Sequence, residues 1–210
     1  MYNRLQYISQ GTSAKEHLQY IHEVLDAGCT WIQLRMKNFD SSEIENTALK
    51  VKELCTKYKA VFIMNDNVLI AKNCDADGVH LGLLDMPIMN AREVLGQNKI
   101  IGGTANTLNH VIQRIDEKCN YIGLGPYRFT NTKDKLSPIL GLEGYKKIIS
   151  ELNELQQKTP IYAIGGILTE DIEGILNAGV YGIAASGIIT QSNNKKNIIE
   201  QLKNELYASS

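Results

Sequence analysis

Cations, amides and carboxylates recur in this chain where apolar runs give out, and their types suit the handling of phosphate. Gln33-Leu34-Arg35-Met36-Lys37 closes one such run, and period-two alternation places Gln33, Arg35 and Lys37 on one face and Leu34 on the other. Two cations facing a core without an anion would be costly, so a ligand phosphate accounts for them better than burial; the competing account is an internal ion pair with Asp66 or Asp85. Asn65-Asp66 ends the next run, and Leu84-Asp85-Met86-Pro87 follows the one after. Neighbouring strands lie about 5 Å apart, so Asp66 and Asp85 can share one small hard cation. Mg²⁺ is the natural candidate, because it takes one or two carboxylates and keeps its other positions for water and phosphate oxygens. The alternative is that both aspartates cap helices, one near Asn67 and the other before Met89.

Further along, Gly125-Pro126-Tyr127-Arg128-Phe129-Thr130-Asn131-Thr132-Lys133 turns an apolar run abruptly into hydroxyls and cations. Thr130 and Thr132 offer donors, and Lys133 brings a mobile point charge that can follow a phosphate oxygen, although a polar surface turn has the same composition. Two glycine-bearing strand exits, Ile164-Gly165-Gly166-Ile167 and Ala185-Ser186-Gly187-Ile188, suit a phosphate held by backbone N–H groups. The residues therefore point to two phosphate-bearing groups, one held by cations and metal, the other by backbone.

The elements that must position these groups alternate along the chain. Short apolar runs begin at Leu5, Trp31, Val61, Gly78, Ile100, Tyr121, Ile161 and Gly182, and amphipathic helical patterns follow each, several with a polar cap such as Ser42 or Thr169. Four helix-to-strand joints repeat weakly: Ala27-Gly28-Cys29, Cys74-Asp75-Ala76, Lys118-Cys119-Asn120 and Ala178-Gly179-Val180 each read as helix end, tight turn and buried strand. Eight such units in 210 residues predict a single (β/α)8 TIM barrel over residues 1–210, in preference to an open doubly wound sheet. Its active site would lie where strands end.

Composition narrows the partners. The net charge is −1 and no Lys/Arg run exceeds two residues, which argues against a nucleic-acid partner. No apolar run approaches the roughly 18 residues of a membrane span, so no membrane partner and a cytoplasmic location are expected. Cys29, Cys55, Cys74 and Cys119 show no metal-ligand spacing and read as reduced thiols, with no structural zinc expected. His17, His22 and His110 fall in helical segments and read as solvated surface residues. His80, before Gly82, reads as a barrel histidine orienting Asp85 or its loop, with a direct functional role as the alternative. Trp31 reads as packing.

Taken in order, Gln33-Leu34-Arg35-Met36-Lys37, Asn65-Asp66, Asp77-Gly78-Val79-His80-Leu81-Gly82 with Asp85-Met86-Pro87, Gly102-Gly103-Thr104, Tyr121-Ile122-Gly123-Leu124-Gly125-Pro126, Thr130-Asn131-Thr132-Lys133 and Ile164-Gly165-Gly166-Ile167 make almost the whole chain resemble the thiamin phosphate synthase (thiamin-phosphate pyrophosphorylase) family. The resemblance implies a Mg²⁺-dependent transferase. It would join the pyrophosphate of 4-amino-5-hydroxymethyl-2-methylpyrimidine to 4-methyl-5-(2-phosphoethyl)thiazole and release pyrophosphate. It further implies that Arg35, Lys37, Asn65 and Lys133 hold the pyrophosphate, with Arg35, Lys37 and Lys133 catalytic and Mg²⁺ on Asp66 and Asp85. Gln33 and Thr104 would contact the aminopyrimidine, Thr130 and Thr132 would shape the loop meeting the thiazole phosphate, and Gly166, Ala185 and Ser186 would bind that phosphate.

The family mechanism is dissociative: pyrophosphate leaves first, and the thiazole nitrogen captures the pyrimidinylmethyl cation. That asks the protein for positioning and preorganised charge rather than a nucleophile. The chain departs from the family pattern at Met36, commonly glutamate, at Leu83-Leu84, often glutamine-glutamate, and at Asn106, where a histidine is frequent. Related thiazole tautomerases use a histidine near that last point and generally lack the metal and pyrophosphate set kept here, which favours the synthase. A non-catalytic barrel binding a thiamin precursor is the rival from another class, and self-association into a homo-oligomer stays open.

Overall fold

The computed structural model describes residues 2–129 and 138–208. Among them, eight parallel strands, β1 (Leu5–Ile8), β2 (Trp31–Leu34), β3 (Val61–Asn65), β4 (Gly78–Leu81), β5 (Ile100–Ala105), β6 (Tyr121–Leu124), β7 (Ile161–Ile164) and β8 (Gly182–Ala185), close into a barrel in sequence order, β8 pairing with β1. The helices are α1 (Ala14–Asp26), α2 (Ser41–Lys57), α3 (Val68–Asn73), α4 (Ile88–Leu95), α5 (Leu108–Asp116), α6 (Gly141–Ser150), α7 (Ile172–Asn177), a short α8 (Gly187–Thr190) and α9 (Lys195–Tyr207). This is the (β/α)8 barrel that the alternation predicts.

Both faces of each strand are buried, which is why the strands read as near-continuous apolar runs. Ile32, Leu34, Phe62, Met64, Val79 and Leu81 join the helices in the large outer core. The opposite parity faces inward, where Trp31, Ile63, Tyr121 and Tyr162 pack as a separate cluster. The Trp31 ring meets Tyr121 and Tyr162 edge-on, with centroids 5.1 and 5.2 Å away. This aromatic floor plugs the barrel below the polar residues.

The four repeated joints share one device. Gly28, Asp75, Lys118 and Gly179 all have positive φ, so each helix ends in a left-handed residue that turns the chain into the next strand. At the first joint the Gly28 N–H donates to the Leu25 carbonyl and the Cys29 N–H to that of Val24, satisfying carbonyls at the helix end.

Some expected boundaries and caps move. Asp40, not Ser42, caps α2: its side chain accepts from the Glu43 N–H at 2.9 Å while Ser42 donates to it. Thr169 caps nothing; the chain there begins as a 3-10 turn, and the Asp171 carboxylate accepts from the Leu168 N–H at 2.7 Å. The helix that opens at Gly141 stops at Ser150, because the Asn153 side chain draws the Leu155 and Gln156 N–H groups to itself at 3.0 Å each. All four cysteines are free and buried, and burial pushes the Cys55 and Cys119 thiols up to about 12. No helix among the described residues is long and apolar enough to cross a membrane.

Candidate active site

The strand ladder of β2 stops at Leu34, and Arg35 and Lys37 follow it on the loop rim at the barrel mouth. The Arg35 N–H donates to Ser9 Oγ at 3.0 Å, and Ser9 Oγ is hydrogen-bonded to His17 Nδ1 at 2.9 Å. This ties the end of β2 to the end of β1 and holds the half-buried Arg35 over the mouth. Met36 turns into the outer core, and Lys37 is half exposed, its Nζ paired with the Asp66 carboxylate. The ion pair set against a phosphate role for Lys37 therefore forms, but at the rim, where a bound phosphate can compete for the ammonium.

Asp66 directly follows β3, where Asn65 is half-buried at the strand end. It adopts φ of 63°, and its N–H donates to the His80 carbonyl at 2.8 Å, clamping β3 to β4. A non-glycine residue in the left-handed region is a strained arrangement of the kind that concentrates at functional sites. Asp85 Oδ2 accepts from the Gly82 N–H at 2.6 Å, and its carboxyl lies against that of Asp66. Burial first, then the hydrogen bond and charge of Asp66, raise Asp85 above the usual carboxylate range. Neither aspartate caps a helix. Asn67 caps α3, accepting from the Ile70 N–H at 3.0 Å, and α4 starts after Pro87 without a side-chain cap. Among the described residues no group of three His, Cys, Asp or Glu side chains gathers, so the donor set here is a carboxylate pair.

Across the mouth, Arg35 faces Gly165, Gly166, Ala185 and Ser186 around a cavity of about 410 Å³. Gly165 and Gly166 have φ of 94° and 68°, and Ser186 Oγ reaches Gln10 Oε1 at 3.5 Å. The loop is held from one side by Arg128, whose guanidinium donates to both Asp171 carboxylate oxygens, at 2.6 and 3.0 Å, and to the Gly166 carbonyl at 2.7 Å. Arg128 thus serves the loop after β7 instead of presenting free charge. Thr130, Thr132 and Lys133 lie outside the described residues.

Beneath the rim the barrel interior is polar. Gln33 Nε2 donates to Gln6 Oε1 at 3.1 Å, Gln6 Nε2 donates to Tyr121 Oη at 3.2 Å, Tyr121 Oη pairs with His80 Nδ1 at 3.1 Å, and His80 Nε2 pairs with Thr104 Oγ1 at 3.0 Å. Gln33 and Thr104, one on β2 and one on β5, are thereby connected through the barrel centre.

A family model described as thiamine monophosphate synthase matches residues 5–189. The chain belongs to the thiamine monophosphate synthase family. It is 56% identical to the thiamine-phosphate synthase of Flavobacterium psychrophilum, over 98% of this chain and 100% of that one, and 53% identical to that of Flavobacterium johnsoniae, over 99% and 98%. The solved thiamine phosphate pyrophosphorylase of Pyrococcus furiosus superposes with a TM-score of 0.85 at 30% identity, covering 98% of this chain and 96% of that one.

Against that membership, some sequence expectations need correction. His17 is not a solvated surface residue: it is 1% exposed and holds Ser9. Burial lowers its pKa below the usual histidine value. His80 is the satisfied barrel histidine expected, its ring hydrogen-bonded to Tyr121 and Thr104 in the barrel centre. Gln6, Ser9, Tyr121, Arg128 and Asp171 were not singled out from the sequence. A larger cleft of about 680 Å³ opens at the opposite end of the barrel, beside Arg4 and Tyr181. There Arg4 is tied to the Leu206 carbonyl at 2.7 Å, and none of the described residues assigned to phosphate or metal lines it.

Proposed function

We propose that this member of the thiamine monophosphate synthase family joins the pyrimidine pyrophosphate to the thiazole phosphate, giving thiamin phosphate and pyrophosphate. The observation that carries the reading is the division of the mouth around Arg35: a carboxylate pair with Lys37 on one side, a glycine-lined cavity on the other. Each side suits one phosphate-bearing substrate. The tautomerase alternative is weakened by Asn106, which is buried and donates to the Gly125 carbonyl, an amide spent on holding the turn and unable to serve as a general acid or base.

Two touching carboxylates, one of them raised in pKa by burial and then by the other, are a donor set that a hard divalent cation relieves, and Mg²⁺ fits its size and sparseness. Asp66 and Asp85 would hold it, and bound Mg²⁺ supplies neutralisation of the leaving pyrophosphate. Arg35, Lys37 and Asn65 take the remaining pyrophosphate oxygens, with Lys133 assigned from the sequence. Gln33 and Thr104 orient the aminopyrimidine above the aromatic floor, which keeps water from the cation side. Backbone at Gly166 and Ala185 and the Ser186 hydroxyl anchor the thiazole phosphate, with Thr130 and Thr132 assigned from the sequence. Anchoring by the phosphate leaves the thiazole nitrogen directed at the electrophilic carbon, so positioning and fixed charge do the catalysis. Pyrophosphate release measured with both substrates and Mg²⁺ tests the reading; release without the thiazole phosphate, or none, counts against it.

A further inference from the structure

The chain of hydrogen bonds from Gln33 to Thr104 is a built feature. Gln6, Gln33, Tyr121, His80 and Thr104 are between 1% and 9% exposed. Glycines make room for it: a Cβ at Gly102 would fall 2.2 Å from Tyr121 Cζ, and one at Gly123 would fall 3.1 Å from His80 Cε1.

Its protons can be placed. Gln6 presents Nε2–H groups to Tyr121 Oη, so the tyrosine oxygen accepts there, and its own proton needs an acceptor elsewhere. Of the two groups hydrogen-bonded to Oη, only His80 Nδ1 can take that proton. His80 then carries its proton on Nε2 and donates it to Thr104 Oγ1, which frees the threonine proton for a ligand. At the other end Gln33 spends an N–H on Gln6 and keeps Oε1 as an acceptor. With Gln6 Nε2 turned to Oη, the opposite sense would leave the Tyr121 proton buried without an acceptor, a costly arrangement; only turning over both the Gln6 and Gln33 amides would reverse the chain, and that reversal puts the proton on His80 Nδ1. Burial also pushes the Tyr121 hydroxyl well above the usual tyrosine range, so the proton is retained.

We infer that Gln6, Tyr121 and His80 form a one-way relay that presets Gln33 as acceptor and Thr104 as donor, making the site selective for a 4-aminopyrimidine over its 4-oxo counterpart. The amino form presents an amine donor beside a ring-nitrogen acceptor, the complement of this pair; the 4-oxo form presents the reverse. The inference deepens the synthase reading and rests on it for the identity of the ligand. Gln6, Tyr121 and His80 act through Gln33 and Thr104 and are positioning residues.

Two experiments decide it. Long-range ¹⁵N–¹H correlation NMR on the histidine-labelled full chain, with His80→Gln to assign the signal, reads the tautomer directly. The relay requires Nε2–H with bare Nδ1, and Nδ1–H overturns it. The second compares kcat/KM for the 4-amino and 4-oxo pyrimidine pyrophosphates in wild type and Tyr121→Phe, with the thiazole phosphate and Mg²⁺ present. Sites with preset polar partners reject mismatched analogues strongly, so the amino:oxo ratio falls about tenfold or more in Tyr121→Phe, through the pyrimidine KM, with the thiazole phosphate KM unmoved. A ratio within about twofold of wild type would overturn the relay. If Tyr121→Phe does not fold, Gln6→Leu, which removes the donor to Oη, carries the same comparison. Should wild type form no thiamin phosphate, the synthase reading fails, and the His80 tautomer still decides the relay.

Discussion

Replacing Gly166 with Ala should damage both stability and phosphate binding, and the size of the loss can be worked from two local facts. At φ of 68° an L-residue is in the left-handed region, which costs about 1–2 kcal/mol. The added Cβ would also fall 2.4 Å from Arg128 Cγ, so the arginine must move and give up Asp171. Asp171 is 8% exposed and Arg128 41%, so the pair lies between a buried one, where breakage costs about 3–5 kcal/mol, and an exposed one near zero. About 1–3 kcal/mol is reasonable for its loss, giving about 2–5 kcal/mol for Gly166→Ala in all. Arg128→Ala removes Cγ and the pair together, so the double variant loses the pair only once and should be about 1–3 kcal/mol more stable than the sum of the singles. Urea unfolding of the three variants measures this, and the KM for the thiazole phosphate should rise in Gly166→Ala. Additivity within about 0.5 kcal/mol, or a single-variant loss below about 1 kcal/mol, would refute the reasoning.

Asp85→Asn should lower the Mg²⁺-dependent rate by about a hundredfold or more, with stability changed by less than about 1 kcal/mol because no helix loses a cap; a Mg²⁺ titration giving the wild-type rate would remove Asp85 from the metal site. Lys37→Gln should raise the KM for the pyrimidine pyrophosphate by about tenfold while shifting the unfolding free energy by less than about 1 kcal/mol, since Lys37 is half exposed and its pair with Asp66 lies at the rim. Unfolding curves should also report His17. Its folded pKa lies below the unfolded value of 6.5, so the unfolded chain takes the proton first, and stability is full above that pH and declines as pH falls through it. His17→Gln should flatten the dependence of the midpoint between about pH 7 and 5, and an equal slope in both proteins would contradict the assignment.

The barrel was legible because each strand is buried on both faces and each of the four repeated joints turns on a left-handed residue, features written in runs such as Val61–Asn65 and in Ala27-Gly28-Cys29. Pairing across the barrel was less so. Asp40 and Ser42 are both good capping types, and only the fold shows which one meets the Glu43 N–H. The burial of His17 had a signal that went unused: with Ile21, Val24 and Leu25 it forms the i, i+4, i+7, i+8 stripe of α1. Gln6 in Leu5-Gln6-Tyr7-Ile8 was likewise a polar residue on the inward parity of an apolar strand. The hold of Arg128 on Asp171 was not legible, because the two lie 43 residues apart and no local pattern joins them. The carboxylate pair was legible as strand-end chemistry; its separation from helix capping needed Asn67 and Pro87 in place.

The central claim is that one mouth holds both substrates and drives pyrophosphate out. Its most direct test is to mix the purified chain with the pyrimidine pyrophosphate, the thiazole phosphate and Mg²⁺, omitting each in turn and adding a chelator to the full mixture, and to follow pyrophosphate and thiamin phosphate together. Release is expected only when all three are present, with the two products in equal amounts and the chelator abolishing both. Tight binding of either substrate without release, or release without thiamin phosphate, would contradict it.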